Sequence, residues 1–252
     1  MKLCVLGSGT AIPHPSRGAS GYACLAKDGS ALLLECGPGS TRRWPSVGLE
    51  LGSVRTILVT HHHVDHCGDL AAALFGRAVV FDEKPATPLV LAGPVGHARL
   101  VRGLGDVYGK GVAEPAAVTI DEIGDGHTRV YGAFRVDARV VVHVEGALGV
   151  RVTADGRVLA FSGDSGTCEA LVGLCRGADV ALLECSYPAA RETTKHLSTT
   201  TAAEVAREAG VRRLVLTHLY PECDAVDVEA EVRAAGYGGE LHVARDGDVI
   251  DV

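Results

Sequence analysis

Residues 56–66 read Thr-Ile-Leu-Val-Thr-His-His-His-Val-Asp-His, an apolar, β-branched run that ends in four histidines and an aspartate. A run of this kind is a buried strand. In a strand, residues i and i+2 share a face. His61 and His63 therefore point to one side of the strand end and His62 to the other, as a bystander. Asp65 and His66 follow where the strand gives way to a helix starting near Gly68, and can turn to a second centre beside the first. Imidazole nitrogen and carboxylate oxygen are ligands that zinc, manganese and iron accept alike. A tag remnant would be terminal and uniform, whereas this cluster is internal and broken by Asp65. The fold must bring further ligands to the same strand end.

The chain holds 11 histidines, so candidates exist. His143 ends Val-Val-Val-His, His218 ends Leu-Val-Leu-Thr-His, and Asp164 follows Leu-Ala-Phe-Ser-Gly. Three potential ligands at three strand ends suit a site built along one edge of a sheet. Other short apolar runs read as strands: 2–6, 31–35, 88–91, 134–144, 180–184 and 213–217. Residues 148–152 and 157–161 read as a hairpin around Ala-Asp-Gly, and 241–252 as a terminal hairpin turning at Arg-Asp-Gly-Asp. Helical stretches are expected near 68–75, 168–176, 200–209 and 226–235, with Ser198 or Thr199 capping the third. Strands alternating with helices, yet with hairpins too, predict two mixed sheets packed together with helices outside. No linker, short-period repeat or low-complexity tract divides the 252 residues, so one domain over 1–252 is expected.

Composition narrows the function classes. The 24 basic and 31 acidic residues leave a net charge of -7. That disfavours a protein that wraps long nucleic acid by bulk charge, which requires a basic face, but leaves room for a small anionic substrate at a local positive site. Neither a signal-peptide core nor an apolar stretch of membrane-spanning length is present. None of the eight cysteines forms a Cys-x-x-Cys pair. They read as reduced, buried small residues of a cytoplasmic protein, with Cys67 and Cys185 as the two that neighbour candidate site residues.

The ordered set His61-x-His63-x-Asp65-His66, then His143, then Gly163-Asp164-Ser165, then Thr217-His218 resembles the metallo-β-lactamase-fold hydrolases over nearly the whole chain. The opening Leu6-Gly7-Ser8-Gly9-Thr10 and the segment ending Glu35-Cys36-Gly37 are similar to the branch containing ribonuclease Z and related phosphodiesterases, which usually has Asp in place of Glu35. The resemblance implies the four-layer αββα sandwich, an α/β (α+β) fold. It implies one metal held by His61, His63, His143 and Asp164 and a second held by Asp65, His66, Asp164 and His218, with Asp164 bridging. It also implies a Glu184/His196 pair near the leaving group, and a homodimer.

Two divalent ions in such a pocket, zinc first with manganese or iron as alternatives, turn a water into the attacking hydroxide near neutral pH. Asp65 is then expected to orient that nucleophile, and His196, polarised by Glu184, to protonate the leaving alkoxide. Ribonuclease Z carries a long arm between the third histidine and the bridging aspartate. Here those positions are 164 − 143 = 21 apart, room only for the hairpin. The expected substrate is therefore a small cyclic or linear phosphodiester rather than a transfer RNA precursor. The alternatives are ribonuclease Z-type tRNA 3′ processing, which the missing arm disfavours, and hydrolysis of a lactone, thioester or β-lactam on the same frame. The loop Pro13-His14-Pro15-Ser16-Arg17 is a candidate for the pocket mouth.

Overall fold

Strands as uniformly apolar as Leu32-Leu33-Leu34 or Val180–Glu184 need cover on both faces, and the architecture provides it. A computed structural model describes residues 1–191 and 193–252. The strands are β1 (Lys2–Gly7), β2 (Gly21–Leu25), β3 (Ala31–Leu34), β4 (Thr56–Leu58), β5 (Leu89–Pro94), β6 (Val118–Ile123), β7 (Thr128–Tyr131), β8 (Phe134–Val140), β9 (Leu148–Ala154), β10 (Arg157–Phe161), β11 (Val180–Glu184), β12 (Arg213–Thr217), β13 (Glu240–Val243) and β14 (Val249–Asp251). They form two seven-stranded sheets, in the orders β14-β1-β2-β3-β4-β5-β6 and β13-β12-β11-β10-β9-β8-β7. Both sheets are mixed. In the first, β14 through β3 are antiparallel and β3 through β6 parallel. In the second, β7 through β10 are antiparallel and β10 through β13 parallel.

Three apolar clusters among the described residues fill the three spaces between four layers. Leu32, Leu34, Leu58, Leu182 and Val215 face inward between the sheets. Their chain neighbours Leu33, Ile57 and Val59 face outward onto α2 (Leu70–Val80), α3 (His97–Tyr108) and α4 (Lys110–Ala113). Ala181, Leu183, Leu214 and Leu216 face outward onto α5 (Glu169–Cys175), α6 (Thr199–Glu208) and α7 (Val228–Ala234). The period of two along each strand thus assigns alternate residues to two different cores. This is the expected αββα sandwich. No helix among the described residues is long and apolar enough to cross a membrane.

The β9–β10 hairpin is present, with Asp155 and Gly156 both at positive φ, as a two-residue turn of the type I′ kind requires. Ser198 caps α6 by accepting from the Thr201 amide. Other expectations need correction. Residues 241–252 form no hairpin: β13 pairs with β12 in one sheet and β14 with β1 in the other. The turn between them is drawn to the first sheet, because Asp246 accepts hydrogen bonds from the Ser8 and Gly18 amides. Crossing over lets β13 and β14 each extend a different sheet as its outermost strand. The helix expected over 68–75 is α2, which starts at Leu70 and runs on to Val80, and a separate single turn, α1 (Val64–Cys67), precedes it. β8 stops at Val140, so His143 lies beyond it, next to the Val142–Gly166 bridge. Strands β2, β6 and β7 and helix α3 carry no signal strong enough to be expected. In α3 only His97, Val101 and Gly105 are buried, two glycines interrupt it, and Gly96 caps it without a side chain.

Candidate metal centre

The candidate residues gather at the C-terminal ends of parallel strands, where open α/β sheets place ligands. Glu35 follows β3, His61 and His63 follow β4, Asp164 follows β10, Glu184 closes β11 and His218 follows β12. Asp65 and His66 ride on the single turn α1. That turn packs so closely on the loop after β3 that a Cβ at Gly37 would lie 2.0 Å from the Asp65 carbonyl oxygen. Glu35 and His218 both sit at positive φ, 66° and 56°, a conformation uncommon outside glycine.

Asp164 is the centre of the arrangement. Its Oδ2 lies 3.7 Å from His61 Nε2 and 3.7 Å from His143 Nε2. Its Oδ1 lies 3.3 Å from His66 Nε2 and 3.5 Å from His218 Nε2. His63 Nδ1 is 3.2 Å from His143 Nε2, and Asp65 Oδ2 is 3.4 Å from His218 Nε2. Each carboxylate oxygen therefore faces its own group: His61, His63 and His143 on one side, and Asp65, His66 and His218 on the other. The residues fit two cations. His61 Nε2, His66 Nε2 and Asp164 Oδ1 are buried with no protein hydrogen-bond partner, and buried polar atoms are seldom left so. Ring nitrogens and a carboxylate oxygen that converge on shared space without hydrogen-bond partners are what a cation satisfies.

Behind these atoms lies a layer that orients the rings. His61 Nδ1 is 3.1 Å from Thr60 Oγ1, His143 Nδ1 donates to the Lys195 carbonyl at 3.0 Å, and His218 Nδ1 is 3.1 Å from Ser186 Oγ. His66 Nδ1 lies 3.4 Å from Glu35 Oε1. For His61, His143 and His218, occupying Nδ1 leaves Nε2 as the free lone pair, the usual way a protein fixes the tautomer of a metal-binding imidazole, whereas His66 Nδ1 meets Glu35 only as a charge contact. Burial, reinforced by the neighbouring His66, holds the His61 pKa far below its ordinary value, so this ring is neutral. Burial also opposes charge on His66, but the Asp164 and Glu35 carboxylates outweigh it and raise the pKa well above normal. Burial would raise Asp164, yet His218 and His66 more than offset it and keep the carboxylate ionised. A cation held there would take the place of the proton on His66.

Glu184 and His196 are together as expected. His196 Nδ1 is 2.9 Å from Glu184 Oε1 and 3.9 Å from Asp164 Oδ2, so the pair adjoins the cluster. Burial lowers the His196 pKa, but the Glu184 carboxylate overcomes this and raises it above the ordinary value. His62 points away and stacks on His97, with ring centroids 5.4 Å apart. The thiols of Cys67 and Cys185 belong to apolar clusters, and burial raises the pKa of Cys67 to about 11 and that of Cys185 well above normal. His14 and Arg17 are both held by Asp224, which clasps the first loop to the turn after His218. A cavity of about 1010 Å³ beside β13 is lined by no residue of the histidine cluster.

The sequence reading missed the orienting roles of Thr60, Glu35 and Ser186. For Ser186 the signal was available, because it stands two residues beyond Glu184. The i, i+2 rule that paired His61 with His63 pairs these as well.

A two-sheet sandwich with a histidine–aspartate cluster at its strand ends is the fold of metallo-β-lactamase hydrolases. The chain belongs to the β-lactamase superfamily, whose domain matches residues 31–219, and to its ribonuclease Z-like branch. It is 32% identical over 256 residues to an uncharacterized protein of Mycobacterium leprae, covering 100% of this chain and 89% of the other. It is 30% identical to ribonuclease Z of Streptomyces coelicolor, covering 97% and 95%. Among solved structures, the metallo-beta-lactamase fold protein YhfI from Bacillus subtilis superposes with a TM-score of 0.85 at 21% identity, over 99% of both chains.

Proposed function

We propose that this chain is a phosphodiesterase that uses two divalent ions to cleave a small cyclic or linear phosphodiester. The observation that carries the reading is the Glu184–His196 pair at 2.9 Å, beside the shared aspartate. Thioester hydrolysis releases a good leaving group and has little use for such an acid. Ester oxygen leaving from phosphorus departs as an alkoxide, and a positioned acid contributes about 10²–10⁴-fold.

The residues that would hold the ions are His61, His63, His143 and Asp164 for one, and Asp65, His66, His218 and Asp164 for the other. Zinc is the first choice, with manganese or iron as alternatives. Bound there, the ions supply a nucleophile from water and stabilise charge on the phosphoryl oxygens. Asp65 accepts a proton from the attacking water and orients it. His196 gives its Nε2 proton to the leaving oxygen, while Glu184 holds Nδ1 and stabilises the imidazolium. Despite burial, the Glu184 carboxylate favours the protonated ring, raising the His196 pKa above its ordinary value.

A small substrate is favoured over a transfer RNA precursor. The 21 positions from His143 to Asp164 are taken up largely by β9, its turn and β10. The alignment with the Streptomyces ribonuclease Z runs over 293 positions against 252 residues here, so that relative carries insertions. The net charge of -7 supports the same preference. Eight free thiols support a cytoplasmic location, and a homodimer belongs to the same reading.

The test is hydrolysis of bis(p-nitrophenyl) phosphate by protein loaded in turn with zinc and with manganese, with Asp164→Ala as the blank. Metal-dependent turnover lost in the variant supports the reading and leads to a screen of cyclic and linear nucleotides. Two ions bound without turnover would refute it and direct the search to lactones and thioesters.

A further inference from the structure

Ser186 is buried at the end of β11, and its hydroxyl touches both halves of the site. Oγ lies 2.6 Å from Glu184 Oε2, 3.1 Å from His218 Nδ1 and 3.2 Å from His196 Nδ1. A serine hydroxyl has one proton and two lone pairs. An ionised carboxylate only accepts, so the proton goes to Glu184. Both lone pairs are then left for the two imidazoles, and each contact is favourable only if that ring carries its proton on Nδ1. The backbone allows no escape. The Ser186 amide donates to Glu184 Oε2 at 3.2 Å, and its carbonyl accepts from the Tyr220 amide at 3.3 Å.

We infer that Ser186 is a positioning residue that sets the tautomers of His218 and His196 through one hydroxyl. With Nδ1–H donated to Ser186, His218 turns the lone pair of Nε2 toward Asp65 Oδ2 and Asp164 Oδ1, 3.4 and 3.5 Å away. The same hydroxyl shares the Nδ1 proton of His196 with Glu184, whose Oε1 is 2.9 Å from that nitrogen. Affinity for the ion of the Asp65 group and readiness of the acid are therefore coupled through Ser186. Among the described residues the Ser186 hydroxyl makes no hydrogen bond to the other group. His61 and His143 are oriented instead by Thr60 and the Lys195 carbonyl. The inference rests on the two-ion part of the proposed function and not on the substrate.

The test is competition for zinc between the fully loaded chain and a chromophoric chelator. The expected result is that Ser186→Ala weakens one of the two ions by roughly 10–100-fold, the effect typical of removing an orienting partner. The other ion stays as tight as in the unchanged chain, and Ser186→Thr restores both. Nitrogen-15 spectra of the zinc-loaded protein should show His218 protonated at Nδ1, and that proton should lose its protection from exchange in Ser186→Ala. If Ser186→Ala does not fold, Ser186→Thr and Ser186→Cys are compared, since a thiol is a poor acceptor, and the cysteine variant should lose the same ion. Both ions held at full affinity without the hydroxyl, or equal losses in the alanine and threonine variants, would overturn the assignment. A chain that binds two ions and obeys these expectations but cleaves no phosphodiester would sink the substrate reading and leave Ser186 as assigned.

Discussion

Replacing His196 by alanine separates the acid role from every other role the residue could have. The ring is anchored by Glu184 at 2.9 Å, and despite burial that carboxylate raises its pKa above the ordinary value. It is not among the atoms facing either Asp164 oxygen most closely, so both ions should stay bound. A general acid of this kind is worth about 10²–10⁴-fold, or roughly 3–5 kcal/mol at 1.36 kcal/mol per decade. The loss must depend on the leaving group. On an alkyl phosphodiester, whose alkoxide needs a proton, His196→Ala should lose the full factor. On bis(p-nitrophenyl) phosphate, whose phenolate leaves unaided, it should lose less than about tenfold. The sign in pH follows. Because the acid form is the active one, kcat on the alkyl ester falls as pH rises through the raised His196 pKa, and this limb vanishes in the variant. Glu184→Gln should lose part of the same leaving-group-dependent factor through the ring, and because Glu184 also holds the Ser186 hydroxyl it should weaken one ion as well. Metal content measured on each variant guards against loss of ions. Equal losses on both esters at full metal content would refute the acid role.

Other outcomes follow from the same geometry. Asp164→Ala removes the one carboxylate that faces both groups, so bound metal should fall below two ions per chain and turnover by at least ~10³-fold, read by elemental analysis and initial rates. Gly37→Ala must displace the Asp65 backbone, since the new Cβ would meet its carbonyl oxygen at 2.0 Å. It should cost about 1–3 kcal/mol in denaturant unfolding and weaken the ion held by Asp65 and His66. The His97 pKa is pushed down to about 4 by burial, with His62 adding to it. Between the ordinary value near 6.5 and about 4 the unfolded chain holds a proton that the folded chain refuses, so stability falls as pH drops through that window. His97→Leu should flatten that slope by up to about 3 kcal/mol over the window, measured as the difference between variant and parent unfolding curves.

Much of the site was legible in the sequence because its parts are strand ends. A strand fixes which residues share a face by a period of two, whatever surrounds it. Thus the parallel runs leading to Asp164, Glu184 and His218 could be read in order along the chain, and although β4 stops at Leu58, short of the expected Thr60, His61 and His63 still fall together with His62 opposed. The same local rule explains why β9 and β10 were found: Asp155-Gly156 is a turn signal complete within its own residues. It also explains what was not found. Strands β6 and β7 are half-exposed and flank one another at the sheet margins, and α3 is glycine-interrupted, so packing rather than propensity decides them.

What only the tertiary structure decided is everything that depends on residues meeting across the chain. Whether β14 turns back on β13 or crosses to β1 is settled by Asp246 reaching Ser8 and Gly18, more than two hundred positions away. That the two oxygens of Asp164 face different histidine groups, and that Ser186 and Glu35 hold the rings from behind, is likewise a matter of distances between separate strand ends. Composition and periodicity name the ligand types and the faces they occupy. A hydrogen bond or a shared cation depends on ångström distances, and those are set when two sheets stack and bring their edges together.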